Sequence, residues 1–161
     1  MKLRLQIVIL IMIISKGIFA QIPMQSWRIH FSTSSAIGIS QDSTSVYMAC
    51  ANGIVQYHTD DNSVEMLTVA NGLSDLGISA IDGNGEIVLV GYANGNVDLI
   101  TGNTNVNIPW IKLADISGTK SINSFYFDGN EIYISTGIGL VVFDIAANEV
   151  KDTYYPYTNP F

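Results

Sequence analysis

From residue 36 onward the chain is a succession of short apolar runs separated by glycine- and asparagine-bearing turns, and none of the runs carries the 3.6-residue stripe of an amphipathic helix. The stretch from Asn71 to Ile100 shows one unit whole. Its pattern predicts a tight corner at NGLSD, which contains Gly72, then an apolar strand over Ile78–Ile81, a turn over Asp82–Gly85 and a second strand over Ile87–Val90. An Asn-Gly turn and a third strand ending at Ile100 complete it. Asn-Gly and Gly-Asn pairs supply the positive φ that tight hairpins require, so the pattern reads as a β-meander with a mechanism for each turn.

The same order of strand, glycine-bearing turn and strand occurs before and after this unit. VYMACANGIVQY (Val46 to Tyr57), IVLVGYANGNVDLI (Ile87 to Ile100) and IYISTGIGLVVFD (Ile132 to Asp144) align on Gly53, Gly95 and Gly139, which lie 42 and 44 residues apart. That period belongs to four-stranded propeller blades, whereas shorter helical or leucine-rich repeats would show a helical stripe. The expected architecture is therefore all-β, a partial β-propeller of about three four-stranded blades forming an open arc. Blade one is expected from about Ala36 to Ala70, blade two from Asn71 to about Lys120, and blade three from Ser121. Known propellers close with at least about four blades, so the expectation is that residues 21–161 form the N-terminal part of a larger ring.

The first twenty residues follow a different pattern. Lys2 and Arg4 precede an apolar run from Leu5 to Ile14, and Ala20 stands before the polar Gln21. The run is shorter than the roughly 20 residues that span a bilayer, so residues 1–20 read as a secretory signal peptide cleaved between Ala20 and Gln21. No cysteine stands at the cleavage point itself, which argues against a lipid-anchored N-terminus. After it, Trp27, Ile29 and Phe31 alternate with Arg28 and His30, the period of a half-buried strand.

Removal of such a segment changes the charge from −7 to −10, since Lys2, Arg4 and Lys16 go with it. A nucleic-acid partner is disfavoured by that balance. Cys50 is the only cysteine and lies in an apolar run, where a small buried hydrophobe is the ordinary reading. His30 and His58 have no Cys/His cluster beside them and read as strand residues. Thr59 to Asn62 and the alternation Asp82, Asn84, Glu86 suggest calcium at first sight, but neither has the glycine and distal glutamate of a calcium loop. Both read as hairpin turns, and no metal or other cofactor is implied.

Catalytic signatures are missing from the sequence: there is no Gly-x-Ser-x-Gly elbow, no His-Glu-x-x-His, no Cys-x-x-Cys and no phosphate loop. Asp60, Asp61, Asp82, Glu86, Asp98 and Asp128 fall mostly in predicted turns, with no pairing across a cleft of the kind a glycosidase needs. Pro109 makes the segment after Ile100 an edge strand, and Trp110 is expected to pack between adjacent blades. Trp27, Gly53, Gly72, Gly95 and Gly139 are assigned structural roles, with catalytic residues none and ligand-binding residues unassigned.

WRIHF, NGLSDLGISAI, GNVDLI and TKSINSFYFDGNEIYISTGIGLVVFD together resemble the N-terminal propeller of the PorZ family, surface components of the Bacteroidetes type IX secretion system. More loosely, the units are similar to the two-component regulator propeller repeats of periplasmic sensors. The resemblance implies a non-catalytic protein at the cell surface or outer membrane, with the sortase PorU and anionic lipopolysaccharide as partners. The rival reading is the ligand-sensing periplasmic propeller of a hybrid histidine kinase, and a third is a carbohydrate-active enzyme built on a propeller.

Overall fold

A computed structural model describes residues 31–102 and 104–155. The expected signal segment with Ala20 and Gln21, the strand residues Trp27 and His30, and Tyr157 and Phe161 lie outside the described residues.

The described residues form three four-stranded antiparallel sheets, each built from strands consecutive in sequence. Blade 1 contains β1 (Ala36–Gln41), β2 (Ser45–Cys50), β3 (Gly53–His58) and β4 (Val64–Leu67). Blade 2 contains β5 (Ile78–Gly83), β6 (Val88–Tyr92), β7 (Val97–Thr101) and β8 (Thr104–Ile108). Blade 3 contains β9 (Ile122–Asp128), β10 (Glu131–Thr136), β11 (Gly139–Asp144) and β12 (Glu149–Tyr154). The first strands lie side by side, β1 against β5 and β5 against β9, and this makes an open arc of blades with no closed barrel.

The repeat is visible in the hydrogen bonding. In each blade the first strand carries one unpaired residue opposite the end of the second: Ile37, Ser79 and Asn123. These bulges recur at the same 42- and 44-residue intervals as the aligned glycines. Bulges strengthen the local twist, as a blade requires near the axis. Ser79 uses its position: its hydroxyl donates to the Ile122 carbonyl at 2.7 Å, joining blade 2 to blade 3.

Two apolar cores separate the blades. Tyr47, Ala49 and Ile54 of blade 1 pack with Leu73, Val88, Val90 and Tyr92 to make the first. Leu89 and Val97 of blade 2 pack with Ile122, Phe125, Ile132 and Phe143 to make the second. Blade 2 is thus covered on both faces, and every residue of β6 is buried.

The strands run slightly past the sequence-based limits, with β5 continuing to Gly83 and β6 covering Val88–Tyr92 instead of Ile87–Val90. The larger difference is at Pro109. Strand β8 stops at Ile108, and Pro109 starts a single helical turn, α1 (Trp110–Leu113), the only helix among the described residues. Proline has no N–H for the ladder and its fixed φ suits a helix start, so the edge strand ends there. Ile111, on this turn, is the side chain that enters the core between blades 2 and 3.

Candidate binding surfaces

The NGLSD corner is a junction of polar contacts between blades. Asn71 Oδ1 accepts from the Thr68 N–H and hydroxyl at 2.8 and 3.0 Å, and its Nδ2 donates to the Met66 carbonyl. The Ser74 N–H donates to Asp98 Oδ2 at 2.8 Å, and the Tyr92 hydroxyl donates to the same oxygen at 2.6 Å. Asn107 Nδ2 reaches the other carboxylate oxygen at 3.1 Å. Asp98 is 0% exposed, so these donors stand in for water. Burial and the neighbouring Asp98 carboxylate push the Tyr92 hydroxyl well above its ordinary pKa, which keeps it a donor at any physiological pH.

Blade 1 holds a related arrangement with different chemistry. Asp42 accepts from the Thr44 and Ser45 N–H groups, each at 2.8 Å, from the Tyr47 hydroxyl at 2.8 Å, and from Gly102 N–H of blade 2 at 3.3 Å. Burial acts to raise the Asp42 pKa, but the Thr44 N–H, the Tyr47 hydroxyl and the Ser45 N–H outweigh it, and the net shift is downward. Gln56 Nε2 donates to Ser45 Oγ and the Tyr47 hydroxyl, completing a buried network. Both carboxylates are consumed in bracing blades and face no open cleft, so neither is placed to act as a general acid or base. The sequence contained one signal for Asp98, a carboxylate inside the apolar run NVDLI. Asp42 stood beside a turn and gave none.

The glycines divide by cause. Gly95 has φ +87° in the turn before β7, and a Cβ there would meet Lys120 Cβ at 2.8 Å. At Gly53 no positive φ is involved; Phe31 ring carbons sit 2.6 and 2.8 Å from where its Cβ would be. A Cβ on Gly139, whose φ is +146°, would run into the Tyr154 carbonyl oxygen. Gly72 has only an ordinary contact with Leu67 at its Cβ position and lies exposed, so nothing in the structure demands glycine there.

Among the described residues, clefts open on the surface. One of about 190 Å³ lies between blades 1 and 2 and is lined by Gln56, Glu65, Asn71 and Asn105 among others. A wider groove of about 510 Å³ runs between the ends of β1 and β5, past Ile39, Gln41, Asp82 and Asn84. The third, about 250 Å³, is apolar and lies between α1 and blade 3, with Trp110, Ile138, Val141 and Val150 in its wall. Trp110 is 50% exposed and belongs to neither apolar core, which differs from the expected packing between blades. Cys50 is buried and free. Among the described residues no group of His, Cys, Asp and Glu is arranged to hold a metal ion. None of their helices is long and apolar enough to cross a membrane.

Charge is unevenly placed. The β1–β2, β3–β4, β5–β6, β9–β10 and β11–β12 turns lie at one end of the sheets, and Asp60, Asp61, Asp82, Glu86, Asp128, Glu131, Asp144 and Glu149 sit in or beside them. Asp60 and Asp61 do occupy a hairpin turn, closed by the His58 N–H on the Ser63 carbonyl. Asn84 Oδ1 caps the Glu86 and Ile87 N–H groups in its own turn. The lysines among the described residues are all engaged: Lys112 with Asp75 at 2.6 Å, Lys151 with Glu131, and Lys120 with the Lys112 and Ala114 carbonyls.

A repeat of four-stranded blades with buried carboxylate braces and shallow clefts defines a β-propeller that offers loops and grooves for binding. The chain belongs to the PorZ N-terminal β-propeller family of the type IX secretion system, whose family model matches residues 46–159. Among solved structures, PorZ of Porphyromonas gingivalis, described as an essential bacterial surface component of that system, superposes with a TM-score of 0.64 at 23% identity. The match covers 72% of this chain and 16% of PorZ. The extracellular domain of BT4673, a putative one-component system of B. thetaiotaomicron, matches with a TM-score of 0.64 at 16% identity, over 84% of this chain and 19% of its own. The computationally designed protein Ika4 gives 0.58 at 15% identity, over 81% and 80% of the two chains. The chain thus spans under a fifth of the two bacterial proteins. No curated protein matches the sequence.

Proposed function

We propose that the protein is an exported, non-catalytic component of a type IX secretion system that works by binding, with the sortase PorU and anionic lipopolysaccharide as its partners at the cell surface. The observation that carries this reading is the family match over residues 46–159, supported by the engagement of every buried carboxylate in a structural brace. The arc described here contains fourteen carboxylates and three engaged lysines, so it repels a polyanion. In this reading the lipopolysaccharide contact lies outside residues 31–155, and the blades serve the protein partner. Deleting the gene in its host is expected to leave secreted cargo with unprocessed C-terminal sorting domains and without its glycolipid anchor. Intact processing together with loss of a ligand-responsive transcript programme would instead establish the sensor reading, which the likeness to BT4673 supports.

A further inference from the structure

The cleft of about 190 Å³ between blades 1 and 2 has walls whose amide donors are already spent. Gln56, 4% exposed, stands in the blade 1 wall, and its Nε2 donates to Ser45 Oγ and to the Tyr47 hydroxyl. The Tyr47 proton goes to Asp42 Oδ2, so the tyrosine can only accept from Gln56, and this fixes which end of the amide is nitrogen. Gln56 Oε1 is the other end, with no donor among the described residues. Asn105, in the blade 2 wall, repeats the arrangement. Its Nδ2 donates to the Gly72 carbonyl, which can only accept, and its Oδ1 is buried with no partner among the described residues. Glu65 lies opposite Gln56 on β4 and brings an exposed carboxylate to the same cleft; His58 Nε2, at 4.0 Å, is beyond hydrogen-bond reach of it. The Asn71 amide is spent on Thr68 and Met66.

We propose that this cleft binds the guanidinium of an arginine side chain presented by a protein partner, with Glu65 taking its fork and the Gln56 and Asn105 amide oxygens taking further N–H groups. A guanidinium carries five donors and no acceptor, so it complements a wall of oxygens, whereas an anion or a carbonyl-bearing ligand meets the same oxygens unfavourably. An ammonium is a compact, strongly hydrated charge and cannot offer a planar fork to the carboxylate. The arginine methylenes have Leu67 and Ile100 to lie against, both in the lining. Sites for whole small molecules run to about 300–1,000 Å³, so this cleft suits a single side chain. Asn105 Oδ1 supplies the thermodynamic reason: a buried acceptor without a partner is costly, and the ligand brings the missing donor. That a protein carries the arginine rests on the role proposed above for the blades; the guanidinium chemistry rests on the cleft alone.

The test uses the full-length protein and the Nα-acetyl amides of arginine, citrulline and lysine as probes, observed by saturation-transfer NMR. Citrulline keeps the shape of arginine but replaces the cation by a neutral urea, whose oxygen faces the Gln56 and Asn105 oxygens. The arginine methylenes are expected to take up saturation severalfold more strongly than those of citrulline or lysine. Glu65→Gln, at an exposed side chain, and Asn105→Ala are each expected to weaken arginine binding severalfold while circular dichroism shows the fold retained. Equal saturation of arginine and citrulline, equal saturation of arginine and lysine, no saturation of any probe, or arginine binding unchanged in a folded variant overturns the proposal. None of these readouts passes through cargo processing, so the cleft and the secretion role fail separately.

Discussion

Blade 2 and blade 1 are built on one repeat and end in opposite states of cover. Every residue of β6 in blade 2, Val88–Tyr92, is buried, because blades pack on both of its faces. In β2 of blade 1, the strand that matches β6, buried Ser45, Tyr47 and Ala49 alternate with half-buried Val46 and Met48, because only one side meets a blade among the described residues. The difference teaches that burial along a strand follows its neighbours: a strand covered on both sides is buried throughout, and one covered on one side alternates.

The sharpest way to break the comparison is to truncate an apolar residue on a covered strand of blade 2 and one on the exposed face of blade 1. Leu89→Ala empties space in the core between blades 2 and 3 and is expected to cost about 3 kcal/mol. Ile39→Ala removes a largely exposed side chain and is expected to cost less than about 1 kcal/mol. Urea unfolding of the two variants against the parent checks both. Equal losses would mean that blade 1's outer face is as fully covered as blade 2's.

Next in size is the buried carboxylate of blade 2. Asp98→Ala leaves the Tyr92 hydroxyl and the Ser74 N–H without an acceptor in a closed interior, at an expected cost of about 2 kcal/mol. Tyr92→Phe removes only one donor and is expected to cost about half as much. The raised Tyr92 pKa gives a matching pH effect. Its contribution is intact below the ordinary tyrosine pKa near 10 and is lost as pH rises above that value. Unfolding midpoints from pH 8 to 11 should fall more steeply for the parent than for Tyr92→Phe.

Much of this architecture was legible in the sequence because the turns and the period carried it. Gly53, Gly95 and Gly139 marked three hairpins at blade spacing, and bulges at Ile37, Ser79 and Asn123 repeat at the same intervals. Yet those glycines differ in cause: Gly95 answers a left-handed φ, and Gly53 answers the Phe31 ring. Close approach by a residue distant in sequence leaves no local trace. The helical turn at Trp110–Leu113 was missed for a related reason, since four residues are too few to show a helical period. The polar braces were legible only where they broke an apolar run, as Asp98 does. Lys112 and Asp75, 37 residues apart, meet through the fold alone.

Two glycines sharpen the comparison between a needed and an unneeded site. Gly95→Val forces a branched side chain into a positive φ against Lys120 and is expected to cost about 2 kcal/mol. Gly72→Ala meets nothing closer than 3.6 Å and is expected to stay within about 0.5 kcal/mol. Thermal unfolding and partner binding should be measured on the same preparations. A Gly95→Val protein of unchanged stability that has lost binding would make this turn a contact surface instead of a structural corner.

The smallest effect belongs to the bridge from the NGLSD corner to α1. The Lys112 ammonium beside Asp75, together with the Asn94 amide, lowers the Asp75 pKa to about 2. A depressed carboxylate stabilises the fold above its unfolded pKa, near 4, and that contribution disappears as pH falls toward 2. Lys112 is 40% exposed, so solvent screening limits the pair to about 0.5 kcal/mol. Lys112→Met is therefore expected to lower stability by that amount at pH 7 and by nothing measurable at pH 2, with the difference reduced in high salt. A loss at pH 7 that persists unchanged at pH 2 would place the role of Lys112 in the packing of its aliphatic stem, with the charge pair contributing nothing.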